Sequence, residues 1–177
     1  MAKTKLPPPP SKLDVAAKPA LPFLLKGTIL SVDPSIGSAS SMPGYALAVD
    51  GVMVDSGILA INPRENSSKR LSAIQKQLLE IIPNPDVLII EKIAPMLSVG
   101  GAGVIQLHWA CGVVLAAFPN AIPVLVPNQT WKKYLRDHDI DYKKSDENDA
   151  IVLMLTLYNT LNRTLKNEAD VFKAINQ

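Results

Sequence analysis

The stretch that decides the fold is GTILSVDP, residues 27–34, in which an apolar run leads directly into Asp33 and Pro34. A short apolar run that is rich in β-branched residues and ends at a turn residue is typical of a buried strand. Because Asp-Pro is a frequent turn opener, one interpretation of Asp33 is that it only starts a turn. A second apolar run, DVLIIE at residues 86–91, also ends on a carboxylate, Glu91. If the two strands are neighbours in one sheet, their carboxylates face each other, which favours a functional role for Asp33.

The elements around these two strands alternate between strand and helix. Residues 44–49 and 52–59 flank Asp50-Gly51, a pair typical of a tight β-hairpin because type I′ turns need positive φ angles. The other predicted elements are an amphipathic helix over 65–81, an apolar helix that follows the glycine-rich residues 99–103 and ends near Phe118, an edge strand at 122–126, a short helix from Asn128 and a long apolar helix over 146–161. The sequence therefore predicts an α/β fold with a mixed five-stranded sheet, three antiparallel strands followed by two parallel ones, flanked by helices.

The overall composition is that of a globular protein with one domain. The chain has 177 residues, of which 47% are hydrophobic and 19% charged, and its net charge is +2. With so small a net charge, binding to nucleic acid must rest on local basic patches. The single cysteine, Cys111, excludes a multi-cysteine zinc site and fits a reducing compartment, so we expect a cytoplasmic protein, in the host cytoplasm if the source is viral. The apolar stretches are short or interrupted, which predicts no membrane span.

The N-terminal segment differs in composition from the rest of the chain. The first 22 residues carry four lysines and six prolines, without the apolar core of a signal peptide. Residues 1–26 are therefore predicted to be a disordered, basic, proline-rich tail. Residues 27–177 are predicted to form the folded domain.

The segment SDENDA, residues 145–150, opens the last long helix. Its serine is a good N-cap and its acidic residues oppose the helix dipole, so helix capping alone is one explanation of the pattern. However, Asp146 and Asp149 lie on the stripe that continues to Leu153, and this helix is apolar nearly all round. That stripe is expected to pack against the sheet. Carboxylates that point toward a core are costly unless they are paired or bind a metal, which favours a functional role for both.

Four carboxylates, from two strand ends and one helix start, are predicted to converge: Asp33, Glu91, Asp146 and Asp149. Mutual repulsion would raise their pKa values unless a cation neutralises them. Hard oxygen ligands without cysteine or clustered histidine suit Mg²⁺ or Mn²⁺. Two such ions about 3.5–4 Å apart are the usual arrangement for in-line phosphodiester displacement, one activating a water and the other stabilising the departing 3′ oxygen.

Four segments resemble, in order, the signature segments of the RuvC-like Holliday junction resolvases. They are ILSVDPSIGSASSMPGYALAV (29–49), DVLIIEKI (86–93), GVIQLHWACGVVLAAFPNAIPVLVPNQTWKKYL (103–135) and SDENDAIVLML (145–155). The resemblance implies the RNase H-like fold, metal-dependent nicking of four-way DNA junctions, and action as a homodimer. It implies the same four carboxylates as metal ligands, and its basic residue near the catalytic centre corresponds to Lys132 or Lys133.

The sequence departs from the family pattern in several places. The family's Asp-Pro-Gly is DPS at residues 33–35, the loop that follows to Gly44 is longer, and an arginine usual in the middle helix is missing. The stretch between Trp131 and Asp146 lacks the usual glycine-containing basic loop. These departures leave the four carboxylates in place. They affect what the resemblance implies about junction geometry and about cleavage-sequence preference. The compact form with a proline-rich tail resembles phage or viral members of the family.

Basic residues are concentrated just before the last long helix: Lys132, Lys133, Arg136, Lys143 and Lys144. A run of charge is usually a solvated face, but beside an acidic metal site it suits contact with phosphate, so these residues are predicted to bind DNA. Trp131 is predicted to anchor the short helix by packing.

The middle helix is a candidate dimer surface. It is apolar on more faces over residues 104–114 than one sheet can cover, and Ala110, Cys111 and Gly112 are small enough for close helix approach. The alternative is that the last helix covers this face within one chain.

Three other functions fit parts of the pattern. An RNase H that acts on RNA–DNA hybrids uses the same fold, and so does a nucleic-acid-binding or virion protein that has lost activity. ATP-binding proteins of the actin and sugar-kinase type need two such domains and a longer chain. The presence of all four carboxylates argues against lost activity, because converging charges without a function are costly.

Overall fold

The protein is described here from a computed structural model of the 177-residue chain. The structure describes residues 12–37, 41–93, 102–140 and 142–176. Most of the predicted glycine-rich stretch at 99–103 lies outside the described residues, as do residues 1–11.

One five-stranded sheet forms the centre of the fold. Its strands are β1 (Thr28–Asp33), β2 (Gly44–Val49), β3 (Val52–Ile58), β4 (Val87–Lys92) and β5 (Ile122–Pro127). They lie in the order β3-β2-β1-β4-β5, with β1, β2 and β3 antiparallel to one another and β1, β4 and β5 parallel. The predicted α/β fold, with three antiparallel strands followed by two parallel strands, is confirmed.

Within the described residues, six α-helices and one 3-10 helix pack around the sheet. The α-helices are α1 (Lys12–Ala17), α2 (Ser67–Ile81), α3 (Ala102–Ala117), α4 (Asn128–Asp137), α5 (Asp146–Thr160) and α6 (Glu168–Ile175), and the 3-10 helix is Lys18–Phe23. Side chains of α2 and α3 bury one face of the sheet, and those of α1, α4, α5 and α6 bury the other. Successive strand residues point to opposite faces, so Ile29 packs in the second of these cores and Leu30 in the first.

Local sequence signals account for most of these boundaries. Asp50 and Gly51 both have positive φ angles, 51° and 79°, as the predicted tight hairpin requires. At the start of α2, the Asn66 side chain accepts a hydrogen bond from the Lys69 N–H. Ser145 caps α5 as predicted, because its hydroxyl accepts a hydrogen bond from the Asn148 N–H.

The prediction of a disordered tail is wrong for residues 12–26. These residues form α1 and the 3-10 helix, and they bury apolar side chains three or four residues apart: Leu13, Ala17, Ala20 and Leu24. The Tyr158 hydroxyl donates a hydrogen bond to the Leu24 carbonyl at 2.5 Å, which joins this segment to α5. Pro19 is tolerated because it lies in the first turn of the 3-10 helix, where no N–H partner is required, whereas Pro22 lies inside this short helix. The folded domain therefore begins before residue 27.

Side-chain amides form hydrogen bonds with backbone groups along the outer edge of the sheet, in β3 and just beyond its end. Asn167 accepts a hydrogen bond from the Met53 N–H and donates one to the Met53 carbonyl, at 3.0 and 2.9 Å. Gln77 makes the same pair of bonds with Ala60, just beyond the end of β3, at 2.9 and 3.1 Å. The register of β3 against β2 also shifts near Val54, as in a β-bulge.

In the part of the chain that the structure describes, no helix combines the length and the apolar character that crossing a membrane requires.

Candidate active site

The central strand pair brings the first two predicted carboxylates together. Val32 of β1 is the register partner of Ile90 of β4, and each is followed by its carboxylate, Asp33 and Glu91. Because β1 and β4 are parallel, both side chains lie at the carboxyl ends of their strands, the usual place for sites in open α/β sheets. Asp33 therefore lies where sites form in such sheets, in addition to ending a strand.

Gly44 allows the start of α5 to approach this pair. Gly44 of β2 is the register partner of Asp33, and a Cβ atom at this position would lie 1.9 Å from the Asp146 carbonyl oxygen. Only a residue without a side chain permits such an approach between a strand and a helix backbone. Sequence reasoning did not identify Gly44, although a glycine at the start of a strand can signal close approach of another backbone. The contact places Asp146 and Asp149 next to the end of β1.

The two candidate site carboxylates of α5, Asp146 and Asp149, have separate hydrogen-bond partners. Asp146 accepts a hydrogen bond from the Met42 N–H at 2.8 Å and another from the Ser41 hydroxyl at 3.3 Å. Asp149 is buried, and its Oδ1 accepts a hydrogen bond from the Tyr142 hydroxyl at 3.0 Å. The inward orientation predicted for this stripe of α5 is confirmed for Asp149, which is only 9% exposed.

Glu91 accepts hydrogen bonds from side chains in the first turn of α4. Its Oε1 accepts a hydrogen bond from the side-chain amide of Asn128 and a second, at 3.2 Å, from the indole N–H of Trp131. Trp131 is buried, as the predicted packing anchor requires, but this polar contact was not predicted. Asn128, Trp131 and Tyr142 are site residues that sequence reasoning missed.

The four carboxylates are electrostatically coupled at Asp33. Burial, followed in order of effect by the charges of Asp149, Glu91 and Asp146, raises the pKa of Asp33 to about 8. The pKa of Asp149 is also raised, chiefly by burial, although the Tyr142 hydrogen bond and the charge of Lys144 oppose this shift. The site thus concentrates negative charge around the half-buried carboxyl group of Asp33.

The chemistry of this donor set suits a hard divalent cation. The four side chains offer only carboxylate oxygens, which Mg²⁺ and Mn²⁺ prefer. Among the described residues, however, no three His, Cys, Asp or Glu side chains lie close enough together to hold a metal ion. The carboxylates are within electrostatic reach of Asp33, but a coordination shell of three or more of them requires side-chain adjustment. They fit a metal site in chemical type rather than in their present geometry.

The predicted basic residues divide into two groups. Lys132 lines two surface depressions, one of about 600 Å³ that also contains Arg136 and one of about 450 Å³ that reaches Glu91. Lys133 points elsewhere and forms an exposed ion pair with Asp137 at 2.5 Å. Of the two lysines that sequence reasoning could not separate, Lys132 is the one that lines a depression with a candidate carboxylate, Glu91.

The remaining two basic residues lie beside α5. Lys143 and Lys144 are exposed and come just before the helix N-terminus. Lys144 is close enough to Asp149 to lower its pKa by charge attraction. The Lys143 backbone N–H donates a hydrogen bond to the Ile175 carbonyl at 3.1 Å, which ties this segment to α6.

We expect folding stability to fall as pH rises from 4 to 8 because of Asp33. Its pKa is about 8 in the folded protein against 3.8 in the reference state, so the folded state binds more protons in that interval. The stabilisation is complete below the lower value and is lost as pH rises through the upper one. Asp33→Asn should remove this dependence and raise the unfolding free energy at pH 8 by about 1–3 kcal/mol.

Urea unfolding in the presence of EDTA, at pH 5, 6, 7 and 8, measures this effect. Asp50→Asn is a matched control, because it makes the same chemical change in the β2–β3 turn. A constant stability difference between Asp33→Asn and the unmodified protein at all four pH values would contradict the prediction.

Comparison with known proteins supports the fold through structure rather than through sequence. No family profile matches the sequence, and no curated protein matches it with significance. The structure is similar to Thermus thermophilus RuvC in complex with a Holliday junction substrate, with a TM-score of 0.57 and 16% identity over 75% of this chain and 94% of that one. A second structure of Thermus thermophilus RuvC has a TM-score of 0.50 and 21% identity over 84% of this chain and 90% of that one. The chain has a RuvC-like fold, as the sequence resemblance predicted.

Proposed function

We propose that the protein is a metal-dependent endonuclease that nicks four-way or branched DNA, a Holliday junction resolvase. The observation that carries this proposal is the meeting of β1, β4 and α5, which groups four carboxylates around Asp33 beside the basic surface of Lys132. One structural neighbour was solved with a Holliday junction substrate, which supports the choice of DNA. Junctions of this kind arise in DNA recombination and repair.

The proposed roles follow from the positions of the side chains. Asp33, Glu91, Asp146 and Asp149 would hold Mg²⁺ or Mn²⁺. Bound divalent cations supply nucleophile activation and charge neutralisation for in-line displacement at a phosphodiester. In that displacement a water oxygen bonds to phosphorus while the bond from phosphorus to the 3′ oxygen breaks.

Lys132 is proposed to bind a phosphate next to the carboxylates. Its ammonium group would stabilise the negative charge that develops on the phosphoryl oxygens in the transition state. Arg136 lies one helical turn further along α4 and lines the same larger depression, so it would contact the next part of the DNA backbone.

A comparison of substrates tests the proposed function directly. Cleavage of a synthetic four-way junction in Mg²⁺ should exceed cleavage of a linear duplex, a flap and an RNA–DNA hybrid of the same sequence. Preferred cleavage of the hybrid would support the RNase H alternative instead. Binding to the junction without cleavage in either Mg²⁺ or Mn²⁺ would support a catalytically silent binding protein.

Lys132→Ala should weaken junction binding far more than Lys133→Ala. Lys132 borders the carboxylates, whereas Lys133 is already paired with Asp137 on the exposed side of the same helix. Loss of one phosphate contact should reduce the slope of log K against log salt concentration by about 1. Filter binding or fluorescence anisotropy at several salt concentrations measures this slope for each variant.

Lys132→Ala should also slow single-turnover cleavage at saturating DNA, whereas Lys133→Ala should not. Equal effects of the two substitutions on binding and rate would place the DNA-binding surface elsewhere.

We further propose that the protein acts as a homodimer through α3. Ile105 and Trp109 lie four residues apart on this helix and are 50% and 52% exposed. Gly112 continues the same exposed face, whereas Ala110 is buried in the chain's own core, so only part of the predicted small-residue surface is free. Symmetric nicking of a junction needs two active sites, which a two-fold dimer provides.

Sedimentation equilibrium at micromolar concentration should show a dimer that Trp109→Lys converts to a monomer. Val54→Lys, at an equally exposed apolar position on β3, is the control and should leave the dimer intact. A strict monomer, both free and bound to a junction, would contradict the dimer proposal.

A further inference from the structure

The first turn of α4 holds Glu91 in an unusual way. The side-chain amide of Asn128 and the indole N–H of Trp131 both donate hydrogen bonds to Oε1, and neither of these bonds uses Oε2. The side chain of Glu91 also lies within electrostatic reach of Asp33. One oxygen of the carboxylate is therefore engaged by two neutral donors, while the group stays in contact with the carboxylate cluster.

The sheet register explains why these two donors reach Glu91. Val126 of β5 is the register partner of Glu91, and Pro127 is the partner of Lys92. Helix α4 begins immediately afterwards, at Asn128, so its first turn starts beside the end of β4. Positions three residues apart lie on one face of a helix, which directs Asn128 and Trp131 to the same point.

We propose that Asn128 and Trp131 are positioning residues that orient Glu91 for binding a divalent cation through Oε2. This inference rests on the proposed nuclease function and extends it to two residues that contact neither DNA nor metal in the proposed mechanism. Removing a hydrogen-bond donor that fixes a ligating carboxylate typically lowers metal affinity or activity by about 10- to 100-fold.

The burial of Trp131 supports a fixed orientation. Its side chain is only 5% exposed, and it packs in the core with Tyr134 and Leu135. A buried indole N–H needs a hydrogen-bond partner, and here the partner is a candidate metal ligand. Packing in the core leaves the indole little freedom to turn, so Glu91 is held by a rigid donor.

The protein offers a built-in reporter for this site. It contains two tryptophans, Trp109 and Trp131. In the Trp109→Phe background, fluorescence comes from Trp131 alone, and its emission should change when Mn²⁺ or Mg²⁺ reaches Glu91. We expect a saturable change on titration with either ion, and we expect Glu91→Gln to remove it.

The decisive comparison uses three variants that leave the net charge unchanged. In the Trp109→Phe background, Asn128→Ala should raise the midpoint of the Mn²⁺ titration by about tenfold or more. Thr130→Ala is the matched control, because Thr130 lies on the same turn but makes no hydrogen bond to Glu91, and its midpoint should stay unchanged. Trp131→Phe keeps an aromatic ring and removes the N–H donor, so a thermal-shift titration should show a similar rise in the Mn²⁺ midpoint.

Cleavage rates provide a second readout. If the two residues act by positioning, both substitutions should raise the cation concentration needed for half-maximal cleavage more than they lower the rate at saturating cation. Melting temperatures in EDTA should remain close to that of the unmodified protein, which separates positioning from a general loss of stability.

Two outcomes would overturn the inference and can be told apart. Normal Mn²⁺ midpoints in both Asn128→Ala and Trp131→Phe, with binding lost in Glu91→Gln, would refute positioning and leave the nuclease proposal standing. No response to Mn²⁺ or Mg²⁺ and no cleavage in the unmodified protein would overturn the nuclease proposal and this inference together.

Discussion

Asp33→Asn is expected to abolish cleavage of a four-way junction, with a loss of about 10³-fold or more in single-turnover rate. The charges of the other three carboxylates all raise the pKa of Asp33, so Asp33 occupies the centre of the proposed metal site. Asparagine has nearly the same shape but cannot carry the negative charge. Junction binding should persist or tighten, because a charge that repels phosphate is removed. Parallel measurement of binding and cleavage separates the two effects.

The control for this substitution is Asp50→Asn in the β2–β3 turn. Asp50 has a φ angle of 51°, a conformation that asparagine also tolerates, so this variant should fold and cut normally. Cleavage by Asp33→Asn at the unmodified rate would show that the carboxylates do not form the catalytic site.

Gly44→Ala is expected to have the largest effect on stability. The added Cβ would lie 1.9 Å from the Asp146 carbonyl oxygen and 2.8 Å from the Glu147 nitrogen, so strand and helix must separate. The added Cβ is fixed to the backbone of β2, and the atoms that it meets belong to the backbone of α5. A change of side-chain rotamer therefore cannot relieve the clash. We expect destabilisation of about 3 kcal/mol, at the upper end of the range for overpacking, and a decrease of about 6–12 °C in melting temperature.

The same substitution should also reduce cleavage. A displacement of about 1 Å in catalytic groups can cost about 100-fold in rate. Gly57→Ala is the control, because its Cβ would meet only the side chain of Tyr45, at 3.1–3.3 Å, and a side chain can adjust. Normal melting temperature and activity in Gly44→Ala would show that the close approach of α5 to β2 is not required.

The sequence was sufficient to predict the sheet because its strands depend on local patterns. Apolar runs that end on Asp33 and Glu91 have the composition of buried strands, and the Asp-Gly turn predicts the antiparallel start of the sheet. The capped, apolar helix that begins at Asp146 was predicted from its N-cap and its composition. The order of the strands then brings these residues to one edge of the sheet.

The remaining features depend on contacts between segments that are distant in sequence. The Asn128 and Trp131 contacts with Glu91 require the register of β5 against β4, which no local pattern encodes. Lys132 and Lys133 are adjacent in sequence, and only the packing of α4 shows which one lies beside Glu91. The N-terminal helices were missed because the prolines and lysines outweighed the buried positions in that segment.

The two edge strands of the sheet are poor templates for another strand. Asn167 and Gln77 occupy backbone groups beside β3, and the register shift near Val54 distorts its edge. At the other side, Pro123 and Pro127 of β5 have no N–H to donate. Pairing between the edge strands of two copies, which leads to aggregation, is therefore disfavoured at both edges. Under the proposed function, several copies could then bind one DNA molecule without pairing through their edge strands.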